Sequence, residues 1–166
     1  MNKKLYLSKR QGALGALMDL YEQEAELFFE TLNKVPETEW GTIKDAETED
    51  DDCRSIQSIC EHLVGAAKYY IELLKKGENA DYEIGKTTTA LRHKKDFEPA
   101  FRGALALQSQ CFEGRWNMND KEIESIKIKT GWGSILDPDS LMEHAILHVM
   151  RHHRQILKFL DQSIKS

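Results

Sequence analysis

The stretch His148-Val149-Met150-Arg151-His152-His153-Arg154-Gln155 holds three of the chain's six histidines, and His144 stands four positions before it. Imidazole nitrogens bind zinc, nickel and iron, and the spacing decides whether two rings reach one ion. On a helix, residues four apart lie about 40° round the axis and about 6 Å along it. His144 with His148, or His148 with His152, therefore makes a chelating pair. His144 and His152 differ by about 80° and 12 Å, so His148 belongs to either pair and the spacing leaves both open. His153 lies about 140° from His148 and is expected to point to solvent beside Arg151 or Arg154.

Two imidazoles make a weak site, and a third ligand has to come from elsewhere in the chain. His62 shares a stripe with Ile59, Ala66, Tyr69 and Tyr70 that should meet the core, where a buried ring needs a partner. His93, within Leu91-Arg92-His93-Lys94-Lys95-Asp96, reads as a surface residue. Cys60 is about 200° round the helix from His62 and stays outside the set, while Glu61 and Glu143 point about 100° away from their neighbouring histidines and are expected to be exposed. Trp132, between Gly131 and Gly133, is expected to anchor its loop rather than line the site mouth. No His-Glu-x-x-His motif is present, and no histidine of the set has Glu three positions before it, which sets aside metalloprotease and di-iron carboxylate arrangements.

The elements that must position these rings are helices. Ser8 with Gln11 forms a capping-box pattern, and Leu14, Leu17, Met18, Tyr21, Ala25, Phe28, Leu32 and Val35 keep one apolar stripe until Pro36, about 27 residues in all. A second helix starts at Ser55 as N-cap and runs to Lys75 and Lys76, with Gly77 at C′. Asp96 caps a third, with Pro99 in its first turn and Phe97, Phe101, Ala104, Gln108 and Phe112 on one face. The stretch Ile123-Glu124-Ser125-Ile126-Lys127-Ile128-Lys129-Thr130-Gly131-Trp132-Gly133 alternates apolar and polar residues and predicts an extended arm or one short strand. Asp137-Pro138-Asp139 then opens the last helix, which carries the histidines and turns Met142, Ala145, Ile146, Val149, Ile156, Phe159 and Leu160 inward. Links of about 20 residues between the first three helices exceed the 2–8 usual in bundles. The expected fold is all-α, a four-helix bundle with long connections, as one domain over residues 1–166.

Composition fits that reading and narrows the partners. With 166 residues, 40% hydrophobic and 31% charged, the chain has the make-up of a globular protein able to bury a core. A formal net charge of -5 and the acidic run Glu47 to Asp52 oppose nucleic-acid and anionic-lipid binding. Three cysteines, Cys53, Cys60 and Cys111, with no Cys-x-x-Cys spacing and no secretory leader, predict free thiols and a cytoplasmic location.

Three segments carry a family resemblance. Arg54 to Leu74 resembles the second helix of the DinB/YfiT-like four-helix bundles, with His62 followed by Leu63. Leu141 to Ile156 resembles their last helix, and Asn33 to Trp40 their first loop with its Pro-Glu turn. The resemblance implies a three-histidine divalent-metal site of His62, His148 and His152, and so favours His152 over His144. The family often ends its motif His-Arg-Gly-Gln, whereas here it reads His152-His153-Arg154-Gln155, and aligning Gln155 keeps the histidine pair. Zinc or nickel are the expected ions, then iron or manganese.

Three neutral imidazoles leave a divalent ion its full charge and an open position, which suits either hydrolysis or presentation of a thiolate. The family implies both, since relatives are described as metal-dependent hydrolases or as transferring low-molecular-weight thiols. No general base stands out beside the histidines, so the catalytic group is unassigned and transfer of a bacillithiol-type thiol is the more specific expectation. The competing expectation is a non-catalytic metal-binding or stress-related bundle. The expected partners are a small-molecule substrate and a second copy of the chain in a homodimer.

Overall fold

The computed structural model describes residues 9–165, and among these it holds five α-helices and one two-stranded hairpin. Helix α1 spans Gly12–Asn33 and buries the expected stripe, Leu14, Met18, Tyr21, Ala25, Phe28 and Leu32. It starts later than the sequence suggests. Ser8 lies outside the described residues, and Gln11 occupies the N-cap position without a side-chain cap bond. The Arg10 backbone N–H and guanidinium both donate to the carboxylate of Asp19, so the chain folds back on the helix instead of extending it. Gly12 has φ +74°, and a Cβ there would strike the Trp116 carbonyl at 1.9 Å, so only glycine fits this turn.

Helix α2, Ile56–Glu78, begins at Ser55 as expected: its hydroxyl accepts from the Ser58 N–H at 3.0 Å and Ser58 Oγ accepts from the Ser55 N–H at 3.0 Å. Gly77 is not the cap but an interior residue, because Ile128 passes so close that a Cβ would lie 2.7 Å from it. Helix α3 is Phe97–Cys111. Asp96 does not cap it; its carboxylate accepts from the His93 N–H at 2.9 Å and closes a 3-10 turn that leads into the helix. The short helix α4, Asp120–Ser125, escaped the sequence reading although Asn119 and Glu122 form a reciprocal capping box. The expected arm is a hairpin, β1 Ile128–Lys129 paired antiparallel with β2 Ile135–Leu136. Helix α5, Pro138–Lys165, starts where Asp137 accepts from the Ser140 N–H at 2.8 Å.

Helix α5 packs on α1 and α2, and α2 packs on α3, around one continuous apolar core. Tyr21, Phe29, Phe97 and Phe101 meet there largely edge to face, an arrangement worth about 0.5–1.5 kcal/mol per pair beyond area burial. The link from α2 to α3 has no regular structure between residues 82 and 92, yet its backbone is satisfied. Glu61 accepts from the Leu91 N–H, Gln57 donates to the Leu91 carbonyl, Glu72 accepts from the Gly85 N–H, and Lys76 donates to the Tyr82 carbonyl. One polar stripe of α2 thus holds this segment along the helix. Among the described residues no helix is long and apolar enough to cross a membrane.

Candidate metal centre

His62 enters from the second turn of α2, and His148 and His152 come from consecutive turns of α5 where it crosses α2. The helix packing brings the three Nε2 atoms together. His62 Nε2 is 2.9 Å from His148 Nε2, and His152 Nε2 is 3.0 Å from it. The set is the group of His, Cys, Asp or Glu side chains, among the described residues, placed to hold a metal ion. At the roughly 2.1 Å metal–nitrogen distance typical of imidazole, two nitrogens on one ion lie at most about 4.2 Å apart; the two separations from His148 meet this with about 90° at an ion, and all three atoms lie within 4.8 Å of one another.

The opposite nitrogens show what the inner ones must carry. His62 Nδ1 is 2.9 Å from Asp52 Oδ2, and His152 Nδ1 is 3.1 Å from Gln155 Oε1. A carboxylate and an amide oxygen only accept, and the Gln155 amide is fixed in orientation because its Nε2 donates to the Cys53 carbonyl. In the neutral rings both Nδ1 atoms therefore hold the proton, and both Nε2 lone pairs face His148. A proton on His148 Nε2 can point to one neighbour alone, which leaves at least one Nε2–Nε2 contact near 3 Å with no hydrogen bond across it. With the His148 proton on Nδ1 instead, all three Nε2 lone pairs are free to face a cation. The third outer nitrogen, His148 Nδ1, is 2.8 Å from the hydroxyl of Tyr70, which can accept as well.

The electrostatics keep the rings ready as ligands. Burial pushes His148 down to about 3, with the neighbouring His152, His62 and Arg151 adding to the effect. Burial likewise takes His152 down to about 4, against an opposing hydrogen bond from Gln155. Burial pushes the Tyr70 hydroxyl above its ordinary range, so it stays protonated. His148 and His152 are 8% and 2% exposed, whereas the site is open on the His62 side, where a cavity of about 530 Å³ begins.

Several expectations need correction. His153 does not face solvent; its Nε2 lies 2.7 Å from Thr31 Oγ1 and its ring packs on Phe28, because this side of α5 is covered by α1. Glu61 is half-buried rather than exposed, since it accepts from the descending Leu91 backbone, and it lines the cavity. Trp132 is 47% exposed and stacks on His144, with centroids 5.0 Å apart and planes at 18°, so it forms a wall of the site mouth. His144 is taken up by that stack and by an edge contact with Tyr70, and stands outside the three-nitrogen group. Cys60 is fully buried away from the centre, and His93 and Glu143 are exposed, all as expected.

Asp52, Tyr70 and Cys53 escaped the sequence reading as parts of the site. Tyr70 was legible, being two turns past His62 on its own stripe; nothing in the run Glu47 to Asp52 marks which carboxylate returns to the histidine. Outer partners of metal-binding histidines typically contribute 10- to 100-fold in affinity. For the exposed Asp52, which water replaces in part, Asp52→Ala is expected to weaken zinc binding about tenfold in competition with a chelating dye, with the fold unchanged by circular dichroism. Unchanged affinity would count against a ligand role for His62.

Comparison of the chain with protein-family models, with curated proteins and with solved structures gives no match in any of the three.

Proposed function

We propose that this chain is a DinB/YfiT-like four-helix bundle in which His62, His148 and His152 hold a divalent ion, zinc or nickel first, and that it transfers a small thiol to an electrophile. The observation that carries the metal reading is the convergence of three imidazole Nε2 atoms whose outer nitrogens meet Asp52, Tyr70 and Gln155. A donor set of three neutral nitrogens fits such an ion, and a three-ligand set suits catalysis better than the closed four-ligand sets of structural sites. When bound, the ion supplies Lewis acidity at its open position, acidifying a thiol or a water there.

The protein's own residues do the rest. Asp52 and Gln155 hold His62 and His152 in one tautomer, and the Tyr70 hydroxyl orients His148 and accepts from its Nδ1 when Nε2 gives up its proton, so the rings need no reorientation on binding. The cavity beside His62 and His148 has the size of a small-molecule site, which supports a substrate over a purely structural role. In the transfer, the thiol loses its proton to water in the open cavity, sulfur forms a bond to the electrophilic carbon, and the leaving group departs with the electron pair of its bond.

The test is turnover of a small thiol with a chromogenic aryl halide by the zinc-loaded protein. A rate at least tenfold above that of His148→Ala supports the proposal. Equal rates with metal bound only to the wild type contradict transfer and favour the non-catalytic metal-binding bundle.

A further inference from the structure

Along α5 the cavity wall reads in order: His144 beneath Trp132, then His148, then Arg151. Arg151 lines the cavity one turn beyond His148 and is exposed to it, yet makes no hydrogen bond or ion pair to any described residue. Its surroundings make this notable. The other arginines near acidic groups pair with them: Arg10 with Asp19 and Glu22, Arg54 with Asp51, Arg102 with Glu26 and Glu98, Arg115 with Glu78. The two carboxylates of the cavity are already engaged, Asp52 by His62 and Glu61 by the Leu91 N–H and Gln57.

An unpaired guanidinium beside a cation site opposes binding of the cation; its charge also disfavours protonation of His144, His148 and His152. Such a charge has a use when an anion arrives with the ligand. Building on the metal reading above, we infer that Arg151 is a specificity-determining residue that selects ligands bearing a carboxylate next to the atom that meets the three histidines, with Trp132 and Tyr69 covering the ligand's apolar part.

The planar guanidinium fork matches a carboxylate with two parallel hydrogen bonds. A monoanion also matches the single free positive charge, whereas a phosphate dianion would face Glu61 and Asp52 in the same cavity with charge to spare. The aromatic wall is built for contact: Trp132 rests on His144, and Tyr69 lies 6.3 Å from it, ring centre to ring centre, with its hydroxyl accepting from the Gly131 N–H at 3.0 Å.

The test uses the full chain loaded with cobalt(II), whose absorption gains a charge-transfer band when a thiolate binds. Two probes of nearly equal size are titrated, mercaptoacetate and its neutral counterpart mercaptoacetamide. The wild type is expected to prefer mercaptoacetate about tenfold, the scale of one charge-assisted pair at a partly open site. Arg151→Gln is expected to bring mercaptoacetate down to the affinity of the amide. Arg154→Gln, an exposed arginine of the same helix outside the cavity, is expected to keep the full preference.

Equal affinities in the wild type, or a preference that survives in Arg151→Gln, would overturn the inference. Displacement of mercaptoacetate by phosphate, but not by acetate, would overturn the choice of carboxylate. No band with either thiol, or no cobalt bound, would overturn the metal reading and this inference with it. That outcome is distinguishable because the neutral probe fails too.

Discussion

Excess zinc added to the metal-free protein is expected to raise its melting temperature by about 10 °C, and His148→Ala is expected to abolish the rise. The magnitude follows from linkage: an ion at about 1,000 times its dissociation constant, bound by the folded chain alone, adds about 4 kcal/mol. For a chain of this length each kcal/mol moves the midpoint by roughly 2–4 °C. His148 is the sharpest position to remove because its Nε2 lies within 3.0 Å of both other ligand nitrogens, so its loss leaves two rings with no shared neighbour. The substitution also removes a hydrogen bond to Tyr70, so the metal-free variant serves as its own baseline. An equal rise in wild type and variant, measured by differential scanning calorimetry, would place the ion elsewhere.

The metal-free protein is also expected to lose stability steeply on acidification from pH 6.5 toward pH 4. An unfolded chain takes up protons on histidine near pH 6.5. In the folded state burial holds His148 down to about 3 and His152 to about 4, so across this window the unfolded state binds more protons. Stability is complete above the unfolded value and falls as pH drops, by up to roughly 1.4 kcal/mol per pH unit for each ring. His144 and His153, also lowered by burial, add in the same direction. Urea unfolding at steps of pH reads this directly, and His148→Gln should flatten the curve. A metal-free wild type whose stability holds level from pH 7 to pH 4 would contradict the buried, neutral state of these rings.

How much of this was legible beforehand differs by element. Start signals with a local mechanism were read correctly: Ser55 and Asp137 cap α2 and α5 through bonds to residues three positions on. Signals that depend on a distant partner were not. Gly77 reads as a helix stop, but it is an approach point for Ile128, some fifty positions away in sequence. The start of α1 moved because Asp19 captures the Arg10 backbone, a contact no capping pattern encodes. The fold-back of the link along α2 made Glu61 a backbone acceptor where periodicity placed it in water.

The site divides the same way. Helical spacing alone left His144 and His152 as equal partners of His148, and the family resemblance favoured His152. In the structure Trp132 reaches over from the hairpin and stacks on His144, while the ring nitrogens of His62, His148 and His152 form the group that could hold an ion. His153 shows the limit of angle counting, since 140° from His148 leads to α1 rather than to solvent.

Metal content of protein purified without an affinity tag, measured for the wild type and for His62→Ala, tests the central claim most directly. Convergence of the three rings predicts about one divalent ion per wild-type chain and a loss of most of it in His62→Ala, although residue 62 is 86 positions from His148. A His62→Ala protein that is folded and retains the full complement of metal would contradict the account.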